Sequence, residues 1–370
     1  MKPFLFILYI ILVIPAFAAG DSLKQPETIR VALMKGAESI RLEGNGVLAT
    51  DESGEPVRAF SPLLAARIRD GVMVNGKALR RLTVTAPQYV KVNGKKYRGI
   101  VDVTPADKGL LVVNELPLED YLIGLINCEI SSQWPMEAIK AQAVIARSYA
   151  VYQKESRKSA PYHLESTVMD QVYDGCEVED SRAARGVRET AGVVLTYDNK
   201  VIQAFYHSNC GGHTEATENV WGIPMPYLRG VDCEYCLKAP SAKWELTLPL
   251  KRVEALLRKG GYQVGGLREI RIGRKNKSGR VTDVTLISGR GRFTLSAVSL
   301  RKAIGYSAIK STNFEVRMTG NDVLFSGIGY GHGVGLCQWG AKQRALDGFD
   351  YREILSYYYP GARLEKLYGE

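Results

Sequence analysis

The stretch Cys128-Glu129-Ile130-Ser131-Ser132-Gln133-Trp134-Pro135, with the alanine-rich run that follows to Ala150, constrains this chain more than any other segment. A lone acid sits in an apolar lead-in made by Leu125, Ile126, Cys128 and Ile130. Trp-Pro then introduces a helix, because proline is tolerated in a first turn, where its missing N–H costs nothing. At about 100° per residue, Glu137, Lys140, Arg147 and Ser148 share one side of that helix. Ala138, Ala141, Ile145 and Ala146 lie mostly on another, with Gln142 and Tyr149 among them. A glutamine on an apolar face needs a partner, since an unpaired buried amide costs on the order of 1–3 kcal/mol. Gln142 therefore either ties down a neighbouring loop or lines a polar cleft.

The chain opens with Lys2, an apolar run from Phe4 to Ile14, and Pro15-Ala16-Phe17-Ala18-Ala19. That order of basic, apolar and small residues is a secretory leader, assigned to residues 1–19. It is shorter than the roughly 20 apolar residues of a membrane span, and no later segment is apolar enough to span. The expected location is therefore outside the cytoplasm, in the periplasm or cell envelope. The formal net charge of +10 then points to anionic envelope polymers as partners and away from nucleic acid.

Residues 28–105 read as β-rich. Ile29–Leu33, Leu82–Thr85 and Val90–Val92 alternate or are β-branched, and Asn75-Gly76 and Asn93-Gly94 are hairpin turn signals. Helix signals take over after residue 115. Two further strands are expected at 192–197 and 201–206, across an Asp198-Asn199-Lys200 turn. From residue 244 to 320 the composition shifts again, giving helices near Val253–Leu257 and Ser299–Ile304 and strands near Glu269–Ile272 and Arg280–Ile287.

The Glu129, Trp134-Pro135 and Ala141–Ala150 segment resembles the signature of the SpoIID/LytB family of bacterial cell-wall proteins. Further blocks agree, in family order: Asp170–Tyr173, Ala204–Ser208 with Gly211–Glu215, Gly329–Ala341, and Tyr358–Gly361. Cys337 stands where the family more often has serine, and Cys210 where it often has serine or threonine. The resemblance implies an α+β protein: a SpoIID-like catalytic core over 106–243 and 321–365, the β-rich region before it, and 244–320 as an inserted peripheral α/β lobe.

The resemblance also implies chemistry. A lytic transglycosylase manages with one carboxyl, where glycoside hydrolysis generally uses two. The acid protonates the glycosidic oxygen, then takes the proton from the C6 hydroxyl of N-acetylmuramic acid, which closes on C1 as a 1,6-anhydro sugar. Glu129 is the candidate acid, because burial between Cys128 and Ile130 would raise its pKa; the alternative is a helix cap or ion pair. Gln142, Arg147, Tyr149, Gln171, Tyr206, His332, Gln338 and Trp339 are candidates for framing the sugar, with a structural ion pair as the competing role for Arg147. The partner is then the glycan strand of peptidoglycan, and no cofactor is required for the reaction. The LytB branch carries a second reading, a non-catalytic binder that enhances a cell-wall N-acetylmuramoyl-L-alanine amidase. A zinc hydrolase is disfavoured, since the four histidines show no His-Glu-x-x-His spacing.

The six cysteines leave three readings open. Cys210, Cys233 and Cys236, with His207 or His213, would make a structural zinc site; disulfides and free thiols are the alternatives. Some family members carry zinc near the cleft, but around Asp170-Gln171, where that site is expected, this chain has no cysteine.

Overall fold

The computed structural model describes residues 27–58, 62–168, 170–240 and 242–368. The expected leader at 1–19 lies outside them. The β-rich region is built as two six-stranded sheets. One runs, edge to edge, through strands 164–165, 28–37, 110–117, 100–105, 82–85 and 48–50; the other through 77–79, 71–74, 63–68, 39–43, 90–92 and 95–97. Alternation explains the pairing of faces. Leu82 and Val84 are buried while Thr83 and Thr85 are not, and Val90 and Val92 flank a half-buried Lys91. The inward residues of both sheets, among them Val31, Val84, Val103, Leu42, Ala65 and Val72, form one core. Asn75-Gly76 and Asn93-Gly94 all have positive φ, the geometry that two-residue hairpin turns require.

Helix α1 (Leu118–Glu129) starts with Glu119 and Asp120 in its first turn, where the helix dipole favours negative charge. It buries Tyr121, Leu122, Leu125 and Ile126 and ends at Glu129, because Ile130 returns to extended backbone. Pro135 then caps α2 (Met136–Ser156), the central helix. The sequence predicts an amphipathic α2, and the structure corrects that: Arg147 and Ser148 are fully buried, as are Ala141 and Ile145. Helix α3 (Ser181–Glu189) and strand 193–197 pack over this side, and Ser148 Oγ accepts the Leu195 N–H at 2.8 Å. Alanines at 138, 141, 143, 146 and 150 let these elements approach closely.

The strand expected over 201–206 is not continuous. Residues 200–201 pair back on 196–197, with positive φ at Asp198 and Asn199. Tyr206–His207 instead forms a parallel pair with Leu336–Cys337. This crossing joins the two halves of the core, and the short helix α4 (Thr217–Trp221) follows it in the chain.

The lobe has its own hydrophobic core, centred on Trp244, Val253, Leu257, Leu286, Leu300, Phe314 and Phe325. It contains α5 (Leu250–Lys259), α6 (Ala297–Ile304), a sheet of strands 267–272, 283–288 and 291–296, and a second sheet of 243–249, 322–328 and 314–319. Strand 322–328 is the middle of that second sheet, so the lobe ends near Ile328 and not at the expected residue 320. Arg280 also leaves the lobe. It is fully buried and donates from Nη2 to the Cys210 carbonyl at 2.7 Å. The chain finishes with α7 (Gln338–Leu346), α8 (Tyr351–Tyr358) and a strand at 363–366 that pairs with 193–196.

Candidate functional site

A cleft of about 360 Å³ opens where the end of α1, the 205–208 segment and the glycine-rich 329–335 loop meet. Glu129 lies in its lining with Tyr149, Asp170, Tyr206, His332 and Gln338. The local reason is direct: α1 terminates at Glu129, which frees its side chain to project from the helix end. Glu129 Oε1 accepts the Val172 N–H at 3.3 Å, and its carboxyl also bonds with the Tyr206 hydroxyl and the Gln338 amide. Burial pushes the carboxyl above its ordinary pKa, and those three hydrogen bonds, which favour the ionised form, only partly offset it.

Each donor is itself held. Tyr121 Oη donates to Gln171 Oε1 at 3.1 Å, and Gln171 Nε2 donates to Tyr206 Oη at 3.2 Å. Gln171 is thus buried behind Tyr206 and orients it. Gln338 Nε2 donates to Gln142 Oε1 at 3.3 Å, so Gln142 acts through Gln338. Of the two roles expected for Gln142, the structure shows the first: it is buried, ties down the 338 segment and is not part of the cleft lining.

The glycines of the 329–335 loop let that loop lie against the 205–210 segment. Gly335 has φ +74°, and a Cβ there would meet the Phe205 carbonyl oxygen at 1.9 Å. The packing brings His332 into the cleft, 5.6 Å from the ring of His207. His332 Nδ1 accepts the Val334 N–H at 3.1 Å, and burial lowers its pKa to about 3. His207 Nδ1 donates to the Val334 carbonyl at 3.1 Å, and burial pushes its pKa well below the usual value. Both imidazoles are therefore neutral and serve as hydrogen-bonding groups.

Two expected sugar-framing residues are elsewhere. Arg147 forms a two-pronged ion pair with Glu119, at 2.8 Å on both arms, and donates to the Val187 and Val193 carbonyls. This guanidinium is fully buried away from the cleft and pins α2 to α1 and the 193–197 strand. Trp339 packs against Trp134, with ring centroids 5.1 Å apart, and Lys342 covers both rings. The tryptophan that lines the cleft is Trp221 instead, 44% exposed, with Phe205 at 4.5 Å and His332 at 5.2 Å. Its signal in the sequence is weak: a tryptophan shortly after the Gly211–Glu215 block. Asp170, also not singled out, lines the cleft but is committed. It pairs with Arg157 at 2.9 Å and accepts from the Tyr149 hydroxyl at 3.0 Å and the Glu165 N–H at 2.9 Å.

The cysteine expectation needs a correction. Among the described residues, the sulfurs of Cys210, Cys233, Cys236 and Cys337 lie within 4.8 Å of one another, with no histidine in the group. His207 is turned to Val334, and His213 bonds through Nδ1 to the Thr214 carbonyl at 2.5 Å. The parallel pairing of 206–207 with 336–337 puts Cys337 where a histidine was expected.

Residues 106–197 match the family model described as stage II sporulation protein, and 238–335 match a domain family of unknown function. The chain is 36% identical over 271 residues to an uncharacterized protein of Brachyspira hyodysenteriae, covering 73% of this chain and 72% of that one. It is 29% identical over 269 residues to the stage II sporulation protein D of Bacillus subtilis, covering 69% and 76%. It is also 30% identical over 325 residues to the amidase enhancer of Bacillus subtilis, covering 74% of this chain but 45% of that longer protein. With Glu129, Gln338 and the glycine-rich loop all meeting at one cleft, these matches establish that the chain belongs to the SpoIID/LytB family.

Proposed function

We propose that this protein is a secreted lytic transglycosylase that cleaves the glycan strands of peptidoglycan, leaving 1,6-anhydro-N-acetylmuramic acid ends. The observation that carries this reading is the inequality of the two carboxyls in the cleft. Asp170 is neutralised by Arg157 and saturated with donors. Among the described residues Glu129 is in no ion pair, and its pKa is raised by burial. A hydrolase of the two-carboxylate type needs a second free carboxylate to act as nucleophile or to activate water, and Asp170 is not free. One proton-carrying group suffices when the substrate supplies its own nucleophile.

In this reading Glu129 donates its proton to the glycosidic oxygen. The resulting carboxylate, stabilised by the Tyr206, Val172 and Gln338 donors, then takes the proton of the C6 hydroxyl as that oxygen closes on C1. The neutral His207 and His332 offer hydrogen bonds to sugar substituents, and Trp221 offers a face for stacking. Among the described residues no helix is long and apolar enough to cross a membrane, and the net charge of +10 suits a polyanionic wall.

The test is mass spectrometry of products from purified glycan strands, for the wild type and Glu129→Gln. Anhydro ends from the wild type, reduced at least ~10²-fold in the variant, are expected for a general acid. A second reading draws on the likeness to the amidase enhancer: a glycan binder that stimulates a wall amidase. It takes over if neither protein makes anhydro ends while both raise amidase turnover equally.

A further inference from the structure

We propose that Cys210, Cys233, Cys236 and Cys337 bind one zinc ion as a closed, four-thiolate structural site that clamps the two halves of the core together. All four are buried, and their sulfurs lie within 4.8 Å of one another. That is the spacing of a tetrahedron whose edges, for Zn–S bonds of about 2.3 Å, are roughly 3.8 Å. The ligands come from three separate segments. Cys210 follows the 206–207 strand, Cys233 precedes and Cys236 ends a short turn at 234–236, and Cys337 ends the 336–337 strand.

Hydrogen-bond donors reach two of the four sulfurs. The Cys210 and Gly340 backbone N–H groups point at Cys337 Sγ, at 3.3 and 3.4 Å. The Tyr358 hydroxyl lies 3.0 Å from Cys233 Sγ. Gly340 is required for this approach, because a Cβ there would sit 2.6 Å from Cys233 Sγ and 2.1 Å from Tyr358 Oη.

Arg280 supplies an independent observation. Its guanidinium is fully buried, bonded at Nη2 to the Cys210 carbonyl, while Nε and Nη1 have no hydrogen-bond partner. Its nearest carboxylate oxygen, on Glu215, is 3.9 Å away and already accepts from Asn276 and Ser278. A buried cation so poorly paired is costly unless compensating charge is near. Four thiolates around one Zn²⁺ carry a net charge of about −2, which supplies it. Two disulfides or four neutral thiols would leave Arg280 with Glu215 at 3.9 Å as its ion-pair partner and nothing at Nε and Nη1. A four-sulfur tetrahedral set selects zinc or iron, and with no coordination position open to solvent its role is structural.

The consequence reaches the cleft through the chain itself, since Gln338 directly follows Cys337. The metal holds that strand end in place, whatever reaction the cleft performs. The test is the metal content of the purified full chain, measured by elemental analysis, together with titration of reactive thiols before and after a chelator and a mercurial. About one zinc per chain, released together with four thiols, is expected, and Glu129→Gln should contain the same amount. Cys337→Ser should fall below half occupancy, whereas Cys128→Ser and Cys176→Ser, which alter the two cysteines outside the cluster, should keep it. Iron in place of zinc, absence of metal, or peptide maps with Cys233 or Cys236 in a disulfide would each overturn the proposal. The wild-type measurement decides even if Cys337→Ser does not fold.

Discussion

Replacing Tyr206 by phenylalanine removes one oxygen from the hydrogen-bond relay that ends at Glu129. In the native protein that hydroxyl receives the Gln171 amide at 3.2 Å and gives its own hydrogen to the Glu129 carboxyl. Gln171 survives the change in place, because Tyr121 still donates to its Oε1 at 3.1 Å and its Nε2 still reaches the Ala146 carbonyl at 3.4 Å. The lost bond favours the carboxylate over the carboxylic acid, and a hydrogen bond to a charged group is worth about 1.5–3 kcal/mol. At 1.36 kcal/mol per pKa unit, Tyr206→Phe should raise the Glu129 pKa by roughly 1–2 units beyond its already elevated value. Carbon NMR titration of labelled glutamate reads this without assuming any activity. In glycan cleavage the general acid would stay protonated to higher pH, so the alkaline limb of the kcat/KM profile should move up by the same amount. An unchanged titration would mean that Tyr206 does not donate to Glu129. A lowered one would mean that its oxygen accepts from the protonated acid, and the relay would run in the opposite sense.

Other outcomes follow from the same contacts. Because the folded pKa of Glu129 is raised above its ordinary value of 4.5, its contribution to stability is full below that value and is lost as pH rises through the folded pKa. Glu129→Gln should therefore gain stability relative to wild type across that window, seen as diverging urea midpoints between pH 4 and 8; parallel curves would contradict the buried-acid reading. Arg147→Met should cost on the order of 3 kcal/mol in urea unfolding, by stranding Glu119 and two backbone carbonyls, while leaving the Glu129 titration unchanged. A shift in that titration would place Arg147 in the site after all. Trp221→Ala should cost on the order of 1–2 kcal/mol through its ring contacts with Phe205 and His332 and weaken binding of denuded glycan strands roughly 2- to 10-fold by calorimetry; equal affinity would remove Trp221 from the sugar path.

The local sequence determined most of the framework. Period-two alternation with Asn-Gly turns is sufficient for the hairpins at 75–76 and 93–94, because both residues of such a turn must take positive φ. The Pro135 boundary and the alanine run likewise specify α2, and the lone acid between Cys128 and Ile130 marks Glu129 as a carboxyl that burial would perturb. What the sequence could not carry was the environment that distant segments create. Helix periodicity puts Arg147 and Gln142 on opposite sides of α2, but only packing by α3 and the 193–197 strand makes Arg147 a buried clamp. Only the 336–337 strand brings Gln338 to Gln142, across 196 positions. The same parallel pairing substitutes Cys337 for a histidine in the sulfur cluster, although each of the four cysteines is visible in the sequence. Trp339 is the tryptophan the sequence singles out for stacking on a sugar, but tertiary packing turns it against Trp134 and puts Trp221 in the cleft. Local propensity and pattern act over a few residues, whereas burial, ion pairing and ligand geometry depend on which segments the tertiary fold brings within a few ångströms.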